Sequence, residues 1–301
     1  MPIFTGCGTA VVTPFDSAGA FNRAAYEKLI NFQVENGADA IVACGTTGEA
    51  STISLAEHAE VVRIAVETVK AAESRIGRKV PVIAGSGGND TSDCCTLGKA
   101  CRDAGADALM YAVPYYNKPS QRGLIGHYTK IAATVDLPII VYNIPPRSVI
   151  NLLPKTLEEL CKIPNIVATK EASGDFGQVA EIAARCGDRI DIYSGNDDYI
   201  LPILSLGGIG VISTIGNIAP KTVHDMVEKF LAGEIAESRK LQLSILGIVR
   251  ELMADGNPVG IKGALNLMGI EAGGCRPPLA NIEDSHLARL RTEMQRFGLI
   301  Q

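Results

Sequence analysis

Short apolar runs recur along the chain, and each is followed by a segment with helical periodicity. Eight such runs cover residues 8–12, 40–43, 81–84, 108–112, 138–142, 166–170, 191–194 and 210–213. Their hydrophobicity is continuous rather than alternating, which is typical of parallel strands covered on both faces. A β-then-α unit repeated in this way predicts a (β/α)8 TIM barrel, an α/β fold; a doubly wound open sheet is the alternative.

The strand pattern stops after Gly233. Residues 234–253, 258–268 and 282–296 have helical periodicity and are separated by segments that contain glycine and proline. We therefore predict a barrel catalytic domain at residues 1–233 and a C-terminal helical appendage at residues 234–301.

Charge and hydropathy exclude two classes of partner. The net charge is −5 and the Lys and Arg residues are dispersed, so no nucleic-acid-binding surface is expected. Residues 199–220 are uncharged, but Pro202 and several glycines divide them into a short helix, a turn and a strand rather than a membrane span. Because the first residues also lack a signal-peptide pattern, we expect a cytoplasmic protein without a membrane partner.

The sequence contains no recognisable metal or cofactor motif. Its eight cysteines include no Cys-x-x-Cys pair, which favours reduced, mostly buried thiols. Surface or capping roles are favoured over metal binding for the histidines, which are His58, His127, His224 and His286. The glycine-rich turns at residues 45–48 and 85–90 match neither a phosphate-binding loop nor a dinucleotide fingerprint. We therefore predict no cofactor and no metal.

Barrel enzymes carry their chemistry at the carboxyl ends of the strands, and here those positions are rich in polar residues. Lys170 ends the sixth apolar run and is followed by Glu171. Taken alone, a lysine at a strand end is usually solvated or salt-bridged. Burial among apolar side chains, however, would lower its pKa toward the neutral form, which is the nucleophile.

Three features of other strand ends suit a nucleophilic lysine. Tyr142 ends the adjacent run and is either a core residue or a group that transfers protons. The turn with Thr46 and Thr47 offers hydroxyls and backbone N–H groups to a carboxylate, although a plain tight turn explains it equally well. Arg147 follows two prolines and can bind a carboxylate with two N–H groups. Together these residues predict Schiff-base chemistry on a keto acid.

Several motifs resemble the dihydrodipicolinate synthase family in order and spacing across the chain. They are Gly-Thr-Thr-Gly-Glu at 45–49, Pro-Tyr-Tyr-Asn at 114–117, Tyr142-Asn143 with Arg147, Ile-Val-Ala-Thr-Lys-Glu at 166–171 and Gly-Val-Ile-Ser at 210–213. The family consists of (β/α)8 lyases of the class I aldolase type. The resemblance implies pyruvate and L-aspartate 4-semialdehyde as substrates, diaminopimelate and lysine biosynthesis as the pathway, and a homotetramer built as a dimer of dimers.

The resemblance also implies catalytic roles for individual residues. Lys170 matches the lysine that forms the Schiff base with pyruvate, and Tyr142 matches the acid/base. Thr46 joins Tyr142 to Tyr116 in a proton relay, and Tyr116 is donated by the neighbouring subunit. Since this donation needs at least a dimer, the relay implies an oligomer.

The implied substrate contacts separate the synthases from their relatives. Thr47 and the backbone at Ile212 hold pyruvate, and Arg147 binds the carboxylate of the semialdehyde. Keto-sugar-acid lyases such as N-acetylneuraminate lyase share the lysine and the tyrosine, but they usually lack the arginine and prefer Ser-Thr to Thr-Thr. A barrel that only binds a keto acid is a further alternative, although a binder needs no proton relay.

Lysine-inhibited members of this family bind L-lysine at a subunit interface. The matching positions here are Ala50, Ser51, Leu55, His58, Asn89, Asp93 and Tyr115. Leu55 replaces a histidine and Asp93 replaces a glutamate, so the sequence leaves inhibition by lysine open.

Overall fold

The computed structural model describes all 301 residues and contains a closed barrel of parallel strands. The strands pair in chain order, and the first also pairs with the last, which excludes the open sheet. They are β1 Gly6–Ala10, β2 Ala40–Ala43, β3 Val82–Gly85, β4 Ala108–Ala112, β5 Ile139–Asn143, β6 Ile166–Glu171, β7 Asp191–Ser194 and β8 Gly210–Ser213.

Helices cover the outside of the barrel, except for a four-residue helix at the rim of its carboxyl end. They are α1 Arg23–Glu35, α2 Leu55–Ile76, α3 Thr91–Asp103, α4 Gln121–Ala132, α5 Pro145–Ser148, α6 Pro154–Leu160, α7 Phe176–Cys186, α8 Ile200–Ser205 and α9 Pro220–Leu231. The main apolar core lies between these helices and the strands, and a smaller cluster fills the barrel interior. Because successive strand residues point to opposite faces, every second residue of each strand faces this interior.

Three further helices follow the barrel: α10 Ile235–Met253, α11 Val259–Leu267 and α12 Asp284–Phe297. They lie within two residues of the predicted bounds. Helix α10 packs against α9 and α12, and its Gln242 donates a hydrogen bond to the carbonyl oxygen of Asp197 at 2.9 Å. The C-terminal helices therefore contact loops at the carboxyl end of the barrel. The domain boundary at residue 233 stays a prediction.

The first strand is displaced from its predicted position. It spans Gly6–Ala10 instead of residues 8–12, because Gly6 and Cys7 pair with β8. The backbone N–H of Val12 instead donates to the side chain of Asn217 at 3.1 Å. The apolar residues after the strand are thus buried without belonging to the sheet, a distinction that hydrophobicity alone does not make.

The expectation that the histidines lie at the surface fails for three of the four, although His286 does have a capping role, since it bonds a carbonyl oxygen in the last turn of α10. His58, His127 and His286 are buried, with exposed fractions of 2%, 6% and 4%. In each, one ring nitrogen has a hydrogen-bond partner; for His58 and His286 it is a backbone carbonyl oxygen, at 2.7 Å. Such a bond gives a ring nitrogen a partner in the interior, and neither spacing nor composition reveals it. The eight cysteines are free thiols, and six are buried, as predicted.

Candidate active site

Lys170 and Tyr142 are paired residues of the adjacent strands β6 and β5. Their exposed fractions are 6% and 5%, and the Nζ atom of Lys170 lies 4.2 Å from the centre of the Tyr142 ring. Tyr142 belongs to the apolar cluster of the barrel interior. The strand order thus confirms that the tyrosine lies one strand from the lysine, and the alternation of side chains brings both into the same space.

Burial lowers the pKa of Lys170 from the usual 10.5 to about 7. Removal of the ammonium group from water is the largest cause. The negative charge of Asp197 raises the pKa in part, and the positive charge of Arg147 lowers it further. At pH 7 the amine is therefore neutral in about half of the molecules. In a solvated lysine it is neutral in roughly one molecule in a thousand. Burial in the barrel thus makes the Lys170 amine available as a nucleophile.

Gly195 lies directly after β7, and because it has no side chain, the Lys170 side chain has room beside it. A Cβ atom at this position would lie 3.2 Å from Cε of Lys170 and 2.6 Å from Cβ of Ala172. Any other residue would push the lysine or the β6 end out of place. Nothing in the sequence indicates this role, because the contacts of Gly195 are with residues of a different strand and its end.

The Tyr142 phenol stays protonated at neutral pH. Burial raises its pKa well above the usual 10, while the charge of Arg147 and a hydrogen bond with Thr46 oppose the rise. The Thr46 hydroxyl is thus among the groups near enough to the phenol to affect its pKa. Both side chains line a cavity of about 510 Å³ at the carboxyl end of the barrel.

The turn at residues 45–49 is held from two sides. Thr47 is 2% exposed, and its Oγ1 accepts a hydrogen bond from Nδ2 of Asn257 at 2.8 Å. The N–H of Glu49 donates to the carbonyl oxygen of Thr46 at 3.1 Å and closes the turn. These bonds hold the turn in place without a ligand, which reduces the entropy lost when a ligand binds to it.

Arg147 lies in the short helix α5 and is exposed at the rim of the same cavity. Its Nη2 donates to the carbonyl oxygen of Asn257 at 3.3 Å, which is the one hydrogen bond that the guanidinium makes within the chain. The remaining N–H groups are available to an anion. Ile212, in contrast, is 1% exposed and lies in β8, in the barrel interior.

Tyr116 does not reach the cavity of its own chain. It is 87% exposed and has a φ of +73°, a value that non-glycine residues seldom adopt. The preceding Tyr115 is 42% exposed and lines the cavity. Within one chain, the structure thus brings Lys170, Tyr142 and Thr46 together and leaves Tyr116 outside.

Two polar clusters that the sequence did not assign support the strand ends. Glu171 accepts hydrogen bonds from Nδ2 of Asn143 at 3.2 and 3.3 Å and from the N–H of Ser173 at 2.8 Å. Burial raises the pKa of Glu171, and these bonds oppose the rise. They join the ends of β5 and β6 behind the lysine and the tyrosine.

Asp197 forms the second cluster, at the end of β8. Its carboxylate accepts hydrogen bonds from the Ser213 hydroxyl at 2.6 Å and from the N–H groups of Thr214 and Ile215 at 3.0 and 2.9 Å. Burial raises its pKa, and these three donors oppose the rise. The cluster fixes the backbone just after Ile212.

The positions of the predicted regulatory site differ in exposure. Ala50, Ser51 and Tyr115 line the same cavity as Tyr142. Asp93 is exposed, and Asn89 is half-buried. His58 is turned inward: its Nε2 lies 2.7 Å from the Gly85 carbonyl oxygen, and burial lowers its pKa, so the ring is the neutral tautomer that donates this bond.

One cluster has ligand atoms near enough for a metal ion, and it lies at the other end of the barrel. It consists of His224, Asp225 and Glu228 on helix α9. His224 is already bonded to Asp39, which precedes β2, at 2.8 Å, and Asp225 is paired with Lys221 at 2.8 Å. Nothing in this arrangement connects the cluster to Lys170.

No helix is both long and apolar enough to cross a membrane.

Comparisons with known proteins agree with this geometry. The model of the dihydrodipicolinate synthetase family matches residues 3–296. A 4-hydroxy-tetrahydrodipicolinate synthase of Lachnoclostridium phytofermentans is 48% identical over all of both chains. DHDPS from Cyanidioschyzon merolae, solved with lysine bound, is 38% identical with a TM-score of 0.94 over 99% of each chain. The chloride-inhibited dihydrodipicolinate synthase of Acinetobacter baumannii, solved with pyruvate, is 36% identical with a TM-score of 0.94 over 98% of this chain and 99% of that one.

Proposed function

Because the chain belongs to the dihydrodipicolinate synthetase family, we propose that it condenses pyruvate with L-aspartate 4-semialdehyde through a Schiff base at Lys170. Its activity is that of a 4-hydroxy-tetrahydrodipicolinate synthase, a lyase of lysine biosynthesis through diaminopimelate. One observation carries the mechanism: a buried lysine, with its pKa lowered to about 7, lies against the ring of a buried tyrosine at the carboxyl end of a closed barrel.

The first half-reaction forms the Schiff base. The neutral Nζ of Lys170 attacks the ketone carbon of pyruvate, and loss of the ketone oxygen as water leaves an iminium ion. Tyr142 supplies and recovers the protons of these steps through Thr46. The Thr47 hydroxyl and the backbone at Ile212 hold the pyruvate carboxylate. Two contacts hold these groups in place: Asn257 bonds to the Thr47 hydroxyl, and Asp197 bonds to the backbone just after Ile212.

The second half-reaction forms the carbon–carbon bond. Loss of a methyl proton from the iminium gives an enamine, whose carbon attacks the aldehyde of the second substrate. Arg147 binds the carboxylate of this substrate and places the aldehyde above the enamine. The amino group of the substrate then attacks the imine carbon and displaces Lys170, which closes the ring and regenerates the free amine.

We also propose the homotetramer, with Tyr116 entering the site of a neighbouring subunit. The exposed fraction of 87% and the outward position of this tyrosine support the proposal, since nothing in its own chain covers the ring. In the proposed regulatory site for L-lysine, Ala50, Ser51 and Tyr115 line the cavity. Leu55 stands where lysine-inhibited members of the family have a histidine.

The acceptor aldehyde distinguishes this function from that of a keto-sugar-acid lyase. We expect the protein to consume pyruvate with L-aspartate 4-semialdehyde and to use N-acetylmannosamine at least about 100-fold less efficiently, because Arg147 has a carboxylate to bind only in the former. The measurement is kcat/KM for each aldehyde at saturating pyruvate. Arg147→Ala is the matched variant and should reduce efficiency with the semialdehyde alone.

Two outcomes would contradict the assignment. A preference for the sugar would make the protein a keto-sugar-acid lyase. Pyruvate binding without consumption of either aldehyde would make it a binding protein.

A further inference from the structure

A buried ion pair joins the catalytic turn to the C-terminal helices. Oε1 of Glu49 lies 2.5 Å from Nζ of Lys262 in α11, and the exposed fractions of the two side chains are 0% and 2%. Nζ also donates to the carbonyl oxygen of Gly274 at 2.7 Å and lies 4.2 Å from the centre of the Phe15 ring. Oε2 of Glu49 accepts the N–H of Arg276 at 2.8 Å. The two charges are thus paired with each other away from water.

Glu49 is the last residue of the turn that carries Thr46 and Thr47. Its backbone is left-handed, with φ 56° and ψ 37°, a conformation that is unfavourable for a residue with a Cβ atom. Such strain persists where the surrounding structure holds it in place. Here the ion pair holds the side chain, while the N–H of the same residue closes the turn on the Thr46 carbonyl oxygen.

Arg276 fixes the other side of this segment. Its guanidinium forms two hydrogen bonds with Glu57 at 2.6 and 2.7 Å and a third with the carbonyl oxygen of Thr52 at 2.9 Å. The C-terminal part of the chain therefore holds the residues around the turn through side chains at 257, 262 and 276. Among these contacts, only the one between Glu49 and Lys262 is an ion pair that includes a residue of the turn and has both charged side chains buried.

We propose that Glu49 and Lys262 are positioning residues for the reaction, and that they act by setting the Thr46 and Thr47 hydroxyls. The proposal rests on the proposed function, since it assigns the two threonines to pyruvate and to the proton relay. Buried ion pairs are often replaceable by apolar groups without loss of stability, so stability alone does not explain this one. What a pair of fixed charges adds is a defined geometry for a strained turn.

Four variants test the proposal: Glu49→Gln, Lys262→Met, the double variant E49Q/K262M, and Lys240→Met as a control. Each single variant leaves a lone buried charge and is expected to have a lower melting temperature. The double variant removes both charges and should recover most of the lost melting temperature. Lys240 is 71% exposed and is paired with Glu237 on the surface, so its removal should change neither stability nor activity.

Kinetics on the double variant separates positioning from stability. We expect KM for pyruvate to rise about tenfold and kcat to fall about tenfold although the melting temperature has recovered, because small displacements of positioning groups are costly in rate. KM for the aldehyde should change less than KM for pyruvate, since Arg147 lies outside the turn.

A double variant with the KM and kcat of the wild type would overturn the inference and leave the pair a structural one. The proposed function has its own readout in the same experiment, the borohydride-trapped pyruvyl adduct on Lys170 of the wild type. An absent adduct would contradict the proposed function. An adduct present in the wild type, together with unchanged kinetics in the double variant, would contradict the positioning role alone.

Discussion

Replacing Lys170 with methionine is expected to lower kcat/KM by a factor on the order of 10⁴ or more, because the covalent route has no other nucleophile. Lys170→Arg should be equally inactive, since a guanidinium stays charged at neutral pH. The measurement is steady-state consumption of pyruvate in the presence of the semialdehyde. A residual rate within tenfold of the wild type would show that the lysine is dispensable.

The loss of activity should come with unchanged or greater stability. The pKa of Lys170 is lower in the folded protein than in the unfolded chain, about 7 against 10.5. Burial of the lysine therefore costs stability below pH 10.5; this cost grows as the pH falls toward 7 and is constant below that. Methionine has a similar length and no charge to bury. A melting temperature of Lys170→Met that falls well below that of the wild type at pH 7 would contradict this account.

Tyr142→Phe is expected to lower kcat by 10²- to 10⁴-fold, the usual range for removal of a group that transfers protons. The ring and its packing against Lys170 remain, so borohydride should still trap pyruvate on the lysine, only more slowly. The measurement is kcat with both substrates at saturation, together with the yield of trapped adduct over time.

Tyr26→Phe is the matched control for the loss of a buried phenol hydroxyl. Tyr26 is fully buried in α1, and its hydroxyl has no hydrogen-bond partner. Its removal should leave kcat unchanged. A kcat of Tyr142→Phe within threefold of the wild type would assign the proton transfer to another group.

The fold and the centre of the site follow from local patterns in the sequence. Continuous apolar runs that alternate with helical periodicity are specific for parallel sheets, and the eightfold repeat selects the barrel. Once the strands are in order, the rule that chemistry lies at their carboxyl ends brings Lys170 beside Tyr142 and places the Thr46 turn at the same end. Each of these steps uses patterns that lie within a few successive residues, such as an apolar run or a turn.

The support of the site comes from contacts between distant parts of the chain. Asn257 bonds to Thr47 from 210 positions away, and Lys262 reaches Glu49 from α11. In sequence Asn257 belongs to a turn between two helical segments and Lys262 to a helix, and neither position shows a sign of chemistry. Gly195 and Asp197 are similar cases, because their roles depend on which side chains of neighbouring strands lie against them. Local periodicity carries no information on such pairs.

The central claim is that Lys170 forms a Schiff base with pyruvate. Incubation of the wild-type protein with pyruvate, reduction with borohydride and mapping of the modified peptide by mass spectrometry tests this claim most directly. We expect a single reduced pyruvyl adduct on Lys170, with none when pyruvate or borohydride is omitted and none at any site in Lys170→Met. No adduct on the wild type, or an adduct on a different lysine, would contradict the account.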